Sequence, residues 1–93
     1  MKIELKKFGD ILTSRQDGHE ALAAIEPLLL NVSENEVLEV DFKGVTTFTP
    51  SWADEFITPL LEQHKDKVSL LNTENPSVKA TLELLQSIRK EKI

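Results

Sequence analysis

The sequence predicts a small α/β domain of order β(β)αβαβα, with a mostly parallel or mixed sheet and its helices mainly on one face. Three observations carry this. Val37, Leu38, Val40 and Phe42 make a nearly continuous apolar run, the mark of a strand lying centrally in a sheet. A turn at Gly44 and a threonine-rich loop then lead into a stretch that places Trp52, Ala53, Phe56, Ile57, Leu60 and Leu61 at helical spacing. Strand-like runs alternate with helical ones along the chain, which implies parallel pairing through right-handed crossovers.

At the amino terminus, Ile3, Leu5 and Phe8 alternate with Lys2, Glu4 and Lys6, predicting a first strand with one wet face. Gly9 and Asp10 signal a turn, after which Ile11 and Leu12 form a short second strand, paired with the first as a hairpin. Thr13, with Gln16 three residues on, has the spacing of a capping box. A first helix therefore runs from about Ser14, with Ala21, Leu22, Ile25, Leu28 and Leu29 on its inner side. Gly18 costs that helix about 1 kcal/mol relative to alanine. Pro27 bends or restarts it before an end near Asn31.

Ser33 to Glu36 is a polar connector into the central strand, whose carboxyl end carries Asp41. Ser51 reads as the cap of the second helix: Asp54 completes a variant capping box, and Pro50 holds Thr49 extended. Pro59 bends this helix, which continues to about His64. Lys65 to Lys67 is a charged turn, and Val68 to Leu71 is the next strand. Asn75 caps the last helix, with Pro76 in its first position. Val78, Leu82, Leu85 and either Ile88 or Arg89 form the inner stripe of that helix, and the basic end, Arg89, Lys90 and Lys92, complements its negative end. Three helices crowd one face of so small a sheet, leaving the other open to a partner or a second copy.

The 93 residues are expected to fold as a single domain, 1–93, with a radius of gyration of about 12 Å. A formal charge of −5 repels phosphate backbones and argues against nucleic acid as a partner. No apolar run approaches the roughly 18 residues of a membrane span, and Met1 to Lys7 lacks the apolar core of a signal peptide. The absence of cysteine removes disulfides, thiol nucleophiles and thiolate metal sites, and suits a cytoplasmic location.

Catalytic chemistry finds few candidates. His19 and His64 read as solvated helix residues, and Asp17, His19 and Glu20 lack the spacing of ligands on one helix face. Asp54 and Glu55 point in different directions along a helix and do not form a glycosidase pair. No catalytic residue, metal or cofactor is assigned. What remains is the rim around Ser51, comprising Phe48, Thr49, Pro50, Ser51, Trp52, Asp54 and Glu55. Trp52 fits two roles there, core anchor or partner contact. Arg15 also fits two, a solvated arginine or an anion contact on the same rim.

Val40-Asp41-Phe42-Lys43-Gly44-Val45 and Pro50-Ser51-Trp52-Ala53-Asp54-Glu55-Phe56 together resemble the STAS-like domain-of-unknown-function family. That bacterial family is a relative of the STAS domains of sulphate transporters and anti-sigma factor antagonists, and Thr13-Ser14-Arg15 agrees with it. In the antagonists, the resemblance implies, a histidine-kinase-type ATPase acting as anti-sigma factor binds the loop after the central strand. It phosphorylates a serine at the start of the next helix, the position Ser51 holds here. The chain departs from the antagonists' acid-serine-serine or threonine-glycine motif, with Thr49, Pro50, Ser51 and Trp52 in its place. The expected function is that of a non-enzymatic regulatory module acting by protein contact through this rim, with Ser51 the phosphoacceptor candidate. The alternative is an anion-binding or small-molecule-binding domain that uses the helix start at Ser51 to Ala53 with Arg15.

Overall fold

The computed structural model describes residues 1–91, with side chains as far as Ile88. Eight elements follow one another: β1 (Lys2–Glu4), β2 (Ile11–Leu12), α1 (Arg15–Leu29), β3 (Leu38–Asp41), β4 (Thr47–Phe48), α2 (Pro50–His64), β5 (Val68–Leu71) and α3 (Pro76–Glu91). Short 3-10 turns occupy Leu5–Phe8 and Lys65–Lys67. The α/β architecture is the expected one, and the radius of gyration is 12.4 Å. Arg89, Lys90 and Lys92, assigned above to the negative end of α3, lie outside the described side chains.

Strand β3 is central, with β1 and β5 parallel on either side, in the register Ile3↔Val40↔Leu70. The period-two alternation sends Ile3, Leu38 and Val40 into the core, where each is at most 5% exposed. The same alternation puts Lys2, Glu4, Glu39 and Ser69 on the opposite face, which carries charge in place of a second helical layer. Helix α2 packs between α1 and α3 and touches β5, so the helices share one side of the sheet as expected.

The amino-terminal hairpin does not form. After β1 the chain coils into the 3-10 turn, which buries Leu5 completely, and Gly9 at φ 124° redirects it. Strand β2 then pairs in parallel with β4, a strand absent from the expected order, matching Ile11 to Thr47 and Leu12 to Phe48. The amides of Thr46 and Thr49 donate to the carbonyls of Asp10 and Leu12 at 2.8 and 3.1 Å. A two-residue strand carries no register of its own, so the partner was set by the distant segment that offered its amides. Gly44, at φ 87°, supplies the turn between β3 and β4 that was expected there, closed by Val45 N donating to the Phe42 carbonyl at 3.0 Å.

Two boundaries shifted. Ser14, not Thr13, caps α1: its hydroxyl accepts from the Asp17 amide at 3.0 Å, while the Thr13 carbonyl is occupied by the Thr49 hydroxyl at 2.7 Å. Helix α1 runs through Pro27 and stops at Leu29, two residues short of Asn31, whereas α2 runs through Pro59 to His64, the end expected for it. Asn75 caps α3 as expected, its side-chain oxygen accepting from the amides of Ser77 and Val78 at 2.7 and 3.2 Å. Of the inner stripe of α3, Val78 and Leu85 are buried, while Ile88 remains 40% exposed. Thr81 is buried instead and donates to the Phe48 carbonyl at 2.6 Å.

Asp41, at the carboxyl end of β3, is 6% exposed and fully engaged. It accepts from Asn72 Nδ2 at 2.7 Å and from the Lys43 amide at 2.9 Å, with Lys2 Nζ at 3.5 Å. These donors, Asn72 first, hold the carboxyl below its ordinary value against the opposing effect of burial. The carboxylate therefore ties β1, β3 and the end of β5. Its stabilisation is present above the unfolded value of about 3.9 and is lost as pH falls through the lower folded value. An Asp41→Asn variant is expected to melt lower than the parent at neutral pH, and the gap should close below about pH 4. Melting curves across that range check this.

Candidate functional site

Strands β2 and β4 run side by side and each passes directly into a helix, so α1 and α2 start together on one rim of the molecule. Thr49, the residue before α2, is the one that joins the two starts. Its amide donates to the Leu12 carbonyl, its hydroxyl to the Thr13 carbonyl, and its own carbonyl accepts from the Ala53 amide at 3.0 Å. Thr49 is thus the N-cap residue of α2, although its hydroxyl makes no cap bond because it reaches across to α1. Pro50 occupies the first helical position, where its missing N–H costs nothing.

The cap role expected for Ser51 is corrected accordingly. Ser51 lies in the second helical position, half-buried, and Asp54 does not reach back to it. Asp54 Oδ1 instead accepts from Thr58 Oγ1 at 3.2 Å, and Oδ2 takes Arg15 Nη1 at 3.1 Å. Among the described residues the Ser51 hydroxyl makes no hydrogen bond, and no polar side-chain atom is both sealed from solvent and unpaired. The Ser51 oxygen therefore reaches water.

This changes what alanine substitution should do. Ser14→Ala is expected to cost about 1 kcal/mol through loss of a cap. Ser51→Ala is expected to stay within about 0.5 kcal/mol of the parent, like other surface changes away from such features. Denaturant melts of the two variants side by side check the assignment. The signal for Ser14 was present in the sequence, since Asp17 stands three residues after it just as Asp54 does after Ser51.

Arg15 is already engaged. Its Nη1 lies 3.1 Å from Asp54 and 3.5 Å from Glu55, so the first turn of α1 is clipped to the first turns of α2. The Arg15 and Asp54 side chains are about half exposed, and such a pair is worth only about 0.2–1 kcal/mol; its main effect is to orient the rim. An incoming anion would have to displace two carboxylates from Arg15, and the Ala53 amide is bonded to Thr49. Neither feature favours anion binding.

Phe48 and Trp52, named above as partner contacts, are each 1% exposed and cannot serve as contacts in this fold. They belong to the core: Trp52 stacks on Phe56 with centroids 4.8 Å apart, Phe48 lies 5.7 Å from Trp52, and Phe42 meets Phe48 edge-on at 5.2 Å. The core-anchor role of Trp52 is the one realised. Phe48 is also clamped from α3, its amide donating to Ser77 Oγ at 2.9 Å and its carbonyl accepting from the Ser77 and Thr81 hydroxyls. The accessible rim is thus Thr49, Pro50, Ser51, Asp54 and Glu55 with Arg15, laid over an aromatic floor. His64 stands at the far end of α2, away from the rim, and His19 is exposed on α1 one turn after Arg15. Among the described residues no helix is long and apolar enough to cross a membrane.

No curated protein and no solved structure matches the chain. A family match covers residues 17–78, about two-thirds of its length, taking in α1 from Asp17 onward, the central strand, Thr49 to Glu55, α2, β5 and the cap of α3. On that match, and with the small parallel α/β frame that carries it, the chain belongs to the family described as STAS-like domain of unknown function.

Proposed function

We propose that this chain is a non-enzymatic regulatory module that acts by protein contact through Thr49, Pro50, Ser51, Asp54 and Glu55. The observation that carries this reading is the state of Ser51: a half-buried residue whose hydroxyl is not sealed from solvent and makes no hydrogen bond among the described residues, on a backbone held by Thr49 and the Arg15 clip. A rigid, exposed rim loses little entropy when a partner covers it. Phosphorylation of Ser51 deepens the proposal. It would add roughly 1.5 to 2 negative charges beside Asp54 and Glu55, compete for Arg15 and alter the surface a partner reads. The kinase-type ATPase of the anti-sigma systems is the partner class suggested by family resemblance.

The test is a photo-crosslinking residue placed at exposed Pro50, with one at exposed Lys65 as control, in the full chain inside cells. Crosslinks to a kinase-type ATPase from Pro50 alone support the rim, and their loss when ATP is added to the purified pair, with phosphate appearing on Ser51, supports the switch. Equal capture from both positions would sink the reading. Capture from Pro50 that ATP leaves unchanged would remove the phosphate step and keep the contact.

A further inference from the structure

The three-stranded sheet has two edges, and they differ. β1 carries Lys2 and Glu4 on either side of Ile3, and charged side chains are a common guard against edge pairing. β5, at the other edge, reads Val68-Ser69-Leu70-Leu71 without a charge, and among the described residues no strand lies against its outer side. Beside it, Leu61, Leu70, Leu82 and Leu85 line a groove of about 170 Å³.

Pairing with β3 fixes which backbone groups this edge offers. The Leu71 carbonyl accepts from the Phe42 amide at 2.9 Å, so Ser69 and Leu71 turn their amides and carbonyls toward β3. Those of Val68 and Leu70, and the amide of Asn72, therefore point outward. The Val68 amide is already bonded to the Lys65 carbonyl, and Asn72, at φ 57°, turns the chain out of the strand. What remains is the Val68 carbonyl, the Leu70 amide and carbonyl, and the Asn72 amide. Read in the opposite direction, this run of acceptor, donor, acceptor and donor is its own complement. A twofold axis at Leu70 pairs each Leu70 with its counterpart and each Val68 carbonyl with the other copy's Asn72 amide, so every outward group is satisfied. The flanks agree in charge. Lys65, Asp66 and Lys67 make the turn before β5 net positive, and Glu74 makes the loop after it negative. Antiparallel pairing sets unlike ends together, whereas parallel pairing of two copies sets like ends together.

We infer that β5 is a self-association edge, pairing antiparallel with β5 of a second copy and joining the two sheets into one. This surface does not rest on the Ser51 reading. A strand of four residues gives an interface at the small end of the range, below about 1,200 Å² of buried surface, so the dimer is expected to be reversible.

Sedimentation of the full chain at rising concentration, from micromolar to millimolar, should show monomer passing into dimer and no larger species. Leu70→Lys puts two ammonium groups on the axis and should weaken association at least about tenfold. Ala80→Lys, at an exposed position on α3, adds the same charge elsewhere and should associate like the parent. Melting curves check that both variants are folded. The register is read separately by disulfides, since the chain has no cysteine of its own. The axis at Leu70 sets Ser69 of one copy opposite Leu71 of the other, with Cα atoms about 4.5 Å apart, within disulfide reach. Two Ser69 positions, offset along the strands, stand about 8 Å apart, beyond that reach. In a glutathione redox buffer, a mixture of Ser69→Cys and Leu71→Cys should therefore yield the mixed dimer well in excess of either variant's own. A chain that stays monomeric throughout leaves the edge to a strand of another protein and overturns the inference. Equal yields of the three disulfide dimers, or unchanged association of a folded Leu70→Lys, also overturn it. So does growth past the dimer, which would mean that β5 pairs with β1 of the next copy in an open chain.

Discussion

Replacing Trp52 by alanine is expected to destabilise the protein by about 3–5 kcal/mol, the largest single-residue effect on the rim. Trp52 is 1% exposed and contacts Phe8, Phe48 and Phe56, so truncation removes buried area and leaves a cavity among rings that cannot all close it. A chain of 93 residues has roughly 5–14 kcal/mol of stability in total. The loss should lower Tm by about 15–30 °C, read by circular dichroism. The functional consequence is a warning about interpretation. Loss of partner capture by Trp52→Ala would report a collapsed floor beneath Ser51 and not a missing contact, whereas Pro50 and Ser51 can be changed without touching that floor.

Gly18→Ala is expected to destabilise by about 2 kcal/mol, although alanine is the better helix former by about 1 kcal/mol. A Cβ at Gly18 would stand 2.5 Å from the carbonyl oxygen of Trp52 and 3.1 Å from its Cα. Both are backbone atoms, so no rotamer change relieves the clash and the helices must move apart. Their first turns hold the Arg15 clip to Asp54 and Glu55, so separation there would also loosen the rim. Melting of the protein checks the sign. A peptide spanning α1 supplies the contrast, because there the same substitution should raise helicity. A protein more stable with alanine would mean that α1 and α2 do not approach this closely.

The reading of Gly18 as a simple cost to its helix was sound for α1 alone and wrong for the protein, and other elements divide in the same way. The central strand, β5, the turn at Gly44, the Asn75 cap and the apolar stripe of α2 were legible because each rests on residues within a turn or two of one another. The choice between Thr13 and Ser14, or between Thr49 and Ser51, was not. Thr13, Ser14 and Ser51 each have an amide or acidic residue three positions on whereas Thr49 has Trp52 there, and the decision came from the Thr49 hydroxyl reaching the Thr13 carbonyl across 36 residues. The same holds for the solvent exposure of Ser51, which made it a candidate site in the structure for a different reason than its spacing had suggested.

Periodicity and capping chemistry therefore determined from the chain alone that this is an α/β protein with a middle strand leading to a serine-bearing helix start; the family entered separately, through the resemblance carried by Val40 to Val45 and Pro50 to Phe56. Only the folded molecule decided that β2 leaves β1 for β4, that Phe48 and Trp52 lie under the rim, and that Arg15 is spent on two carboxylates. The division follows the range of the forces. Hydrogen bonds and packing within a few residues are written in local order, whereas contacts between segments thirty or more residues apart depend on which of several similar partners arrives with the right geometry.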